Sequence, residues 1–196
     1  MLSSVSTAPA NKTFFRFVTI VIALLFTTII YVEAQVFTAK KGTITFFSEA
    51  PLENIDATNY SIQSILNISN NTVAFIVPIR GFKFKKDLME EHFNEKYMES
   101  DKFPNATYSG KINEEIAFDK NGTYPATSTG KLTIHGVEKT ITQPGTITVN
   151  NGDITLESSF RIAVKDYGIE IPKLVFENIA DTVLVKINVA YQPYKK

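Results

Sequence analysis

Hydrophobic and polar side chains alternate along much of the chain after Lys41. In residues 153–165, DITLESSFRIAVK, the large apolar side chains all fall on even positions. Further alternating stretches lie at 42–47, 72–80, 131–135, 146–149 and 182–191. A two-residue period is typical of β-strands with one dry face and one wet face. The pattern therefore predicts an all-β domain of seven or eight strands.

Turn sequences separate these stretches and predict how two of them pair. Asn151-Gly152 lies between two alternating runs, which is a strong hairpin signal. We therefore expect residues 146–149 to pair with residues 153–165 as antiparallel neighbours. Pro78 lies inside another run, and the apolar positions change from odd to even just after it. A one-residue bulge near 78–81 is expected there, since proline cannot donate to a strand ladder.

One segment, residues 87–100, breaks the alternation. It reads DLMEEHFNEKYMES, with no glycine, proline or β-branched residue, which predicts a helix over about 88–100. Asp87 and Glu90 have the spacing of a capping box. Met89, Phe93 and Tyr97 recur every fourth residue and form one apolar stripe. A single helix among many strands indicates a cover over one end of a barrel.

The first 34 residues have the pattern of a targeting segment. Lys12 and Arg16 precede an uncharged apolar stretch, residues 17–32, and small residues precede position 35. This predicts a signal peptide, residues 1–34, cleaved after Ala34, and a domain over 35–196. The alternative is an uncleaved anchor in the inner membrane, although sixteen residues make a helix of roughly 24 Å, shorter than the roughly 30 Å hydrocarbon core.

Composition excludes several kinds of chemistry. The 196 residues include no Cys, which excludes disulfides, thiolate metal sites and a cysteine nucleophile. Twenty basic and twenty acidic residues give a formal net charge of zero, which argues against nucleic acid as a partner. The hydrophobic fraction, 44%, is ample for one core. The expectation is one neutral domain.

The candidate polar chemistry is sparse. His92, Glu95 and Glu99 would share a helix face, where they form either a weak metal or head-group site or a solvated surface. His135 precedes Gly136 and fits a hairpin turn better than a catalytic role. No Gly-x-Ser-x-Gly elbow and no glycine-rich nucleotide loop occurs. We therefore predict a protein that is not an enzyme and that has no cofactor and no metal.

Three segments carry a resemblance to a known family. Residues 81–104, residues 130–139 (GKLTIHGVEK) and residues 166–169 (DYGI) with Pro172 resemble YceI-like proteins, and the resemblance spans roughly 42–191. It implies an antiparallel, extended lipocalin-like barrel exported to the bacterial periplasm or secreted. It also implies that an isoprenoid or other amphiphilic lipid occupies an apolar channel. The first strand, GTITFF, lacks the histidines that longer members carry there, so the chain resembles a shorter branch.

Two functions fit a closed sheet of about eight strands, because its interior holds either packed side chains or one slender ligand. The first is a lipid carrier, with contact to a membrane surface and a homodimer as further expectations. The second is an envelope interaction module with a filled core. The predicted channel lining consists of Ile44, Phe46, Phe75, Val77, Phe82, Phe84, Met89, Phe93, Leu132, Ile134, Phe160, Ile162, Val164, Val185 and Ile187.

Overall fold

The computed structural model describes residues 35–49, 54–171 and 181–194. The predicted leader, residues 1–34, lies outside the described residues. Within them, the strands are β1 (Val36–Ser48), β2 (Ile55–Asn59), β3 (Gln63–Asn67), β4 (Thr72–Pro78), β5 (Phe82–Phe84), β6 (Asn105–Ile112), β7 (Gly122–Ile134), β8 (Val137–Asn150), β9 (Asp153–Ala163) and β10 (Thr182–Pro193). The helix α1 (Asp87–His92) continues as a π-helical turn, Phe93–Tyr97. No helix in these ranges is long and apolar enough to cross a membrane.

The strands form a closed antiparallel barrel. Their order is β10-β9-β8-β7-β6-β4-β3-β1, and β10 pairs back onto β1, with Ile187 opposite Ile44. β2 and β3 both pair with the same edge of β1. On their other edges, β2 pairs with β5 and β3 pairs with β4. β2 with β3, and β4 with β5, thus act as two interrupted strands. The predicted all-β barrel of about eight strands is confirmed.

β1 and the two interrupted strands, β2 with β3 and β4 with β5, are all irregular at one level of the barrel. β1 has a register shift between Ala39 and Lys41, and β2 and β3 are separated by residues 60–62. The predicted one-residue bulge after Pro78 was wrong, because a 3-10 turn, Ile79–Gly81, occupies this place. The Pro78 carbonyl instead accepts a hydrogen bond from Nδ2 of the buried Asn59, at 2.7 Å. A hydrogen bond from a side chain of β2 therefore stabilises the end of β4 where the 3-10 turn begins.

Two tight turns on the β7–β8–β9 side have left-handed backbones. His135 and Gly136 have φ of 50° and 75°, and Asn151 and Gly152 have φ of 50° and 87°. These values fit the mirror-image turns that match the twist of a hairpin. The predicted pairing of 146–149 with the strand from residue 153 is confirmed.

The chain leaves β9 two residues earlier than the alternation predicts. Val164, expected inside the strand, begins a second 3-10 turn, Val164–Tyr167, and its amide donates to the Asp181 carbonyl at 3.0 Å. Gly168 ends this turn with φ of 67°. Within the described residues, the ladder between β8 and β9 extends from Gly145 to Asn150 of β8. The first half of β8 is therefore paired with β7 but not with β9.

The predicted helix is confirmed, but its predicted bounds and cap were wrong. It begins at Asp87, after Lys86, without a side-chain capping bond, and ends at Tyr97 rather than residue 100. Glu90 does not complete a capping box, because its carboxylate pairs with Lys83 of β5 at 2.5 Å. A cross-element ion pair has replaced the local cap that the spacing suggested.

The two ends of the barrel differ in packing. At the end with the Asn151-Gly152 turn, buried side chains fill the interior: Phe37, Leu66, Val149, Ile154, Val189 and Tyr191. The Tyr191 hydroxyl donates to Ser64 Oγ at 2.6 Å, and Ser64 Oγ donates to the Ala74 carbonyl at 2.9 Å, so the polar groups of this pair are satisfied. Burial raises the pKa of Tyr191, which keeps the hydroxyl protonated. This end has the character of an ordinary core.

Gly130 provides a test of the close approach between β6 and β7. It lies opposite Gly110, and a Cβ on Gly130 would collide with the backbone of Ser109 and Gly110. We expect Gly130→Ala to lower the free energy of unfolding by about 1–3 kcal/mol, measured by urea denaturation. Gly122→Ala is the control on the same strand, since its Cβ would meet a movable Tyr124 hydroxyl at 3.0 Å. Equal stability of the two variants would contradict the proposed backbone clash.

Candidate functional site

The barrel encloses a cavity of about 590 Å³ at the end where α1 lies. Strand residues form its walls, α1 and the π-helical turn form one side, and the chain after β9 contributes Val164, Ile169 and Ile171. Its volume falls in the range of about 300–1,000 Å³ that is usual for small-molecule pockets. The interior of this barrel is thus packed at one end and hollow at the other.

All fifteen residues of the predicted channel lining lie on the wall of this cavity: Ile44, Phe46, Phe75, Val77, Phe82, Phe84, Met89, Phe93, Leu132, Ile134, Phe160, Ile162, Val164, Val185 and Ile187. Val164 reaches the wall from the 3-10 turn rather than from a strand. The structure therefore brings together the thirteen residues predicted on strands and the two, Met89 and Phe93, predicted on the helix. Their contact with a ligand remains a prediction.

Four phenylalanines form a cluster that holds α1 on the barrel. The ring of Phe93 lies 5.4 Å from Phe46, 5.6 Å from Phe82 and 5.0 Å from Phe84. Phe46 is also within 5.7 Å of the other two strand phenylalanines. Such spacings are favourable for aromatic pairs. All four phenylalanines line the cavity, so this cluster forms part of its wall.

Several lining residues escaped the sequence analysis. Tyr108 on β6 and Ile141, Gln143 and Ile147 on β8 all line the cavity. The alternation at 146–149 extends back through Ile141, but Pro144 and Gly145 interrupt it and hide the longer strand. Residues 105–112 also alternate, with glycine at one inward position. Extending the two-residue period across Pro144-Gly145 and across Gly110 would have indicated Ile141 and Tyr108, whereas the polar Gln143 would still have been read as outward-facing.

The wall carries little charge. Among the lining residues in the part of the chain that the structure describes, Lys86 and His92 are the basic side chains, and none is Asp or Glu. Burial raises the pKa of Tyr108, although its hydrogen bond to Ser128 partly opposes this, so the phenol is neutral at physiological pH. The cavity therefore suits an apolar guest.

The candidate polar cluster on the helix is divided between two places. His92 lines the cavity, with Nε2 3.0 Å from Lys96 Nζ, whereas Glu99 lies after the helix and accepts from His135 Nε2 at 2.9 Å. His135 also stacks its ring edge on Phe103, 4.6 Å between centroids. Within the described ranges, no group of His, Asp and Glu could hold a metal ion. His135 thus joins the hairpin turn to the segment after the helix.

Phe93 provides a test of how α1 is held. Phe93→Ala removes the ring that contacts three strand phenylalanines, and we expect a loss of about 2–3 kcal/mol in unfolding free energy. The amides of α1 should exchange faster than those of the packed end, as measured by hydrogen exchange. Leu88→Ala on the same helix is the control, because Leu88 is 59% exposed and its loss should cost less than about 0.5 kcal/mol. Unchanged exchange in Phe93→Ala would contradict this role.

Solved structures with the same fold come from several bacteria. A polyisoprenoid binding domain from Saccharophagus degradans, implicated in plant cell wall breakdown, is 13% identical with a TM-score of 0.72, covering 81% of this chain and 98% of that chain. Burkholderia cenocepacia BcnA is 17% identical with a TM-score of 0.63, covering 76% and 95%. The Campylobacter jejuni YCEI protein is 15% identical with a TM-score of 0.59, covering 76% and 90%. At these identities the likeness shows a shared fold.

Sequence comparison defines the relationship more closely. No curated protein matches the chain significantly. A family model described as a YceI-like domain matches residues 27–191, which include β1 to β9, α1 and all but the last two residues of β10. Because this match covers most of the chain, the protein belongs to the YceI-like family.

Proposed function

We propose that this protein is an exported carrier that sequesters an isoprenoid or other amphiphilic lipid, without catalysis. The observation that carries the proposal is the apolar cavity of about 590 Å³ between the packed end of the barrel and α1. The mechanism is transfer of a water-insoluble chain from water into a preformed hydrophobic space. No bond needs to be made or broken.

The energetics of burial support a hydrocarbon guest. Each buried methylene contributes about 0.8 kcal/mol, so one five-carbon unit contributes roughly 4 kcal/mol before costs. Association costs roughly 4–15 kcal/mol in lost freedom of motion. A few buried isoprene units therefore outweigh this cost without polar recognition. The wall of the cavity is already shaped, which keeps the cost of ordering side chains low.

The comparisons support the same ligand class. The Saccharophagus degradans domain, which has this fold, is a polyisoprenoid binding domain, and its chain is covered almost completely by the alignment. This protein shares the family and places apolar side chains around an open cavity. The alternative, an interaction module with a solid interior, has no role for that cavity. The carrier is therefore the better supported of the two.

Export and partners follow from the sequence pattern. The segment 1–34, if cleaved, releases a periplasmic or secreted domain; if retained, residues 17–32 anchor it in the inner membrane. A carrier must collect its lipid from a membrane, and Leu88 on α1 is an apolar side chain exposed beside the cavity. Contact between this end of the barrel and a membrane surface is part of the proposal.

Native mass spectrometry tests the proposal directly. Protein purified from its own cell envelope should carry one lipid per chain, because the cavity has room for a single slender guest. Lipid extraction and mass analysis then identify the ligand class. Failure to find any bound lipid, together with failure to bind polyprenyl alcohols added in vitro, would refute the carrier.

Phe160→Arg separates a carrier from a filled module. Phe160 is half-buried on the cavity wall, so a guanidinium there keeps its hydration until a lipid enters. We expect lipid affinity to fall about tenfold or more while the domain stays folded, as measured by lipid binding and circular dichroism. Ser159→Arg is the control, since Ser159 is the exposed neighbour on β9. Unfolding of Phe160→Arg alone would favour a solid interior.

A further inference from the structure

A level of polar side chains lies inside the otherwise apolar cavity. Ser128 of β7 is directly opposite Gln143 of β8, and Gly145 of β8 is directly opposite Ser158 of β9. All four residues line the cavity. The pairing therefore places Ser128, Gln143 and Ser158 at nearly one height on three consecutive strands.

Apolar residues surround this level on both sides. Ala126, Ile147 and Leu156, which lie next along the same three strands toward the packed end, form the floor of the cavity. Ile141 and Phe160 lie next along their strands on the side of α1. The polar level is thus deep in the cavity, just above its floor, and away from the helix.

The hydroxyl donors at this level are already used within the wall. Tyr108 Oη donates to Ser128 Oγ at 2.6 Å, because the single proton of Ser128 is donated to the Lys111 carbonyl at 3.2 Å. Ser158 Oγ donates to the Pro144 carbonyl at 2.6 Å. Each hydroxyl oxygen keeps lone pairs that can accept a further hydrogen bond.

Tyr108 reaches this level because of a glycine. Gly110 lies two residues further along β6, and a Cβ there would collide with the Tyr108 ring and hydroxyl. The ring therefore lies along the wall over Gly110 and directs its oxygen toward Ser128. The position of the Tyr108 hydroxyl therefore depends on the glycine at position 110 of the same strand.

Gln143 differs from the hydroxyl side chains at this level in its hydrogen bonding. Its side chain is half-buried and lines the cavity, and within the described residues its amide makes no hydrogen bond to another side chain or to the backbone. A glutamine amide offers two donors and one acceptor. A guest that fills the cavity removes water from this amide. That loss costs free energy unless the guest supplies a hydrogen-bonding group at the same depth.

The wall also limits the charge of that group. The basic lining residues Lys86 and His92 belong to the helix side of the cavity, whereas the polar level holds hydroxyls and one amide. An anionic group at this depth would lose its hydration without gaining a cation. The partner that fits is a neutral oxygen function.

We propose that Gln143, with the oxygens of Ser158 and Tyr108, forms a hydrogen-bonding subsite that selects lipids carrying a neutral hydroxyl or carbonyl near the floor of the cavity. This inference rests on the proposed lipid-binding function and narrows its ligand class. A wholly hydrocarbon chain, or one with a charged group at this depth, binds less tightly than its neutral oxygenated counterpart.

The test uses Gln143→Met, which keeps the length of the side chain and removes the amide. The probes are farnesol and the hydrocarbon of the same carbon skeleton, each measured by displacement of a fluorescent hydrophobic dye. We expect the variant to bind farnesol about fivefold more weakly, equivalent to about 1 kcal/mol, and to bind the hydrocarbon within about twofold of wild type. Gln63→Met, an exposed position on β3 outside the cavity wall, is the matched control.

The outcomes separate this inference from the function on which it rests. An unchanged ratio of farnesol to hydrocarbon affinity in Gln143→Met overturns the subsite and leaves the carrier intact. Wild-type protein that binds neither probe overturns both. Thermal unfolding of the variant at or above the wild-type temperature is expected, because an unpaired amide is removed. Should Gln143→Met unfold instead, Gln143→Leu repeats the comparison, and unfolding of both variants would mean that Gln143 stabilises the fold and would overturn the subsite.

Discussion

Closure of the antiparallel sheet by pairing of β1 with β10 is the constraint on which the other features depend. A closed sheet has no free edges and directs every second side chain of each strand into one shared interior. At one end these side chains meet across the barrel, as Phe37, Leu66 and Tyr191 do, and fill it. Toward α1 the ladder between β8 and β9 ends at Gly145, and the same kind of side chain lines a cavity of about 590 Å³.

Contacts among aromatic rings join the helical segment to the wall of the cavity. The π-helical turn that follows α1 places Phe93 against Phe46, Phe82 and Phe84. Their favourable contacts link the helical segment to β1 and β5. The helical segment 87–97 thus both contributes to the wall of the cavity and packs against the strand phenylalanines.

Particular elements show how far sequence reasoning reaches. The inward residues of β9 and β10 follow directly from a two-residue period, because side-chain direction in a strand is a local property. The predicted capping box at Asp87 was wrong because Glu90 forms an ion pair with Lys83 on another element. The predicted bulge near Pro78 was wrong because a 3-10 turn, whose preceding carbonyl accepts from Asn59, occupies that place. Gln143 was missed because a polar residue in a strand is read as outward-facing, and its register opposite Ser128 is set by pairing.

The sequence by itself determined an antiparallel barrel, one covering helix, the turns at Asn151-Gly152 and His135-Gly136, and the identity of fifteen wall residues. These depend on alternation and on backbone preferences, which act over a few residues. The tertiary structure decided that the interior is packed at one end and hollow at the other, and that the Gln143 amide lines the cavity without a hydrogen bond to another described residue. Those features depend on how side chains from distant strands meet across the barrel, because void space and hydrogen-bond satisfaction are properties of the assembled wall.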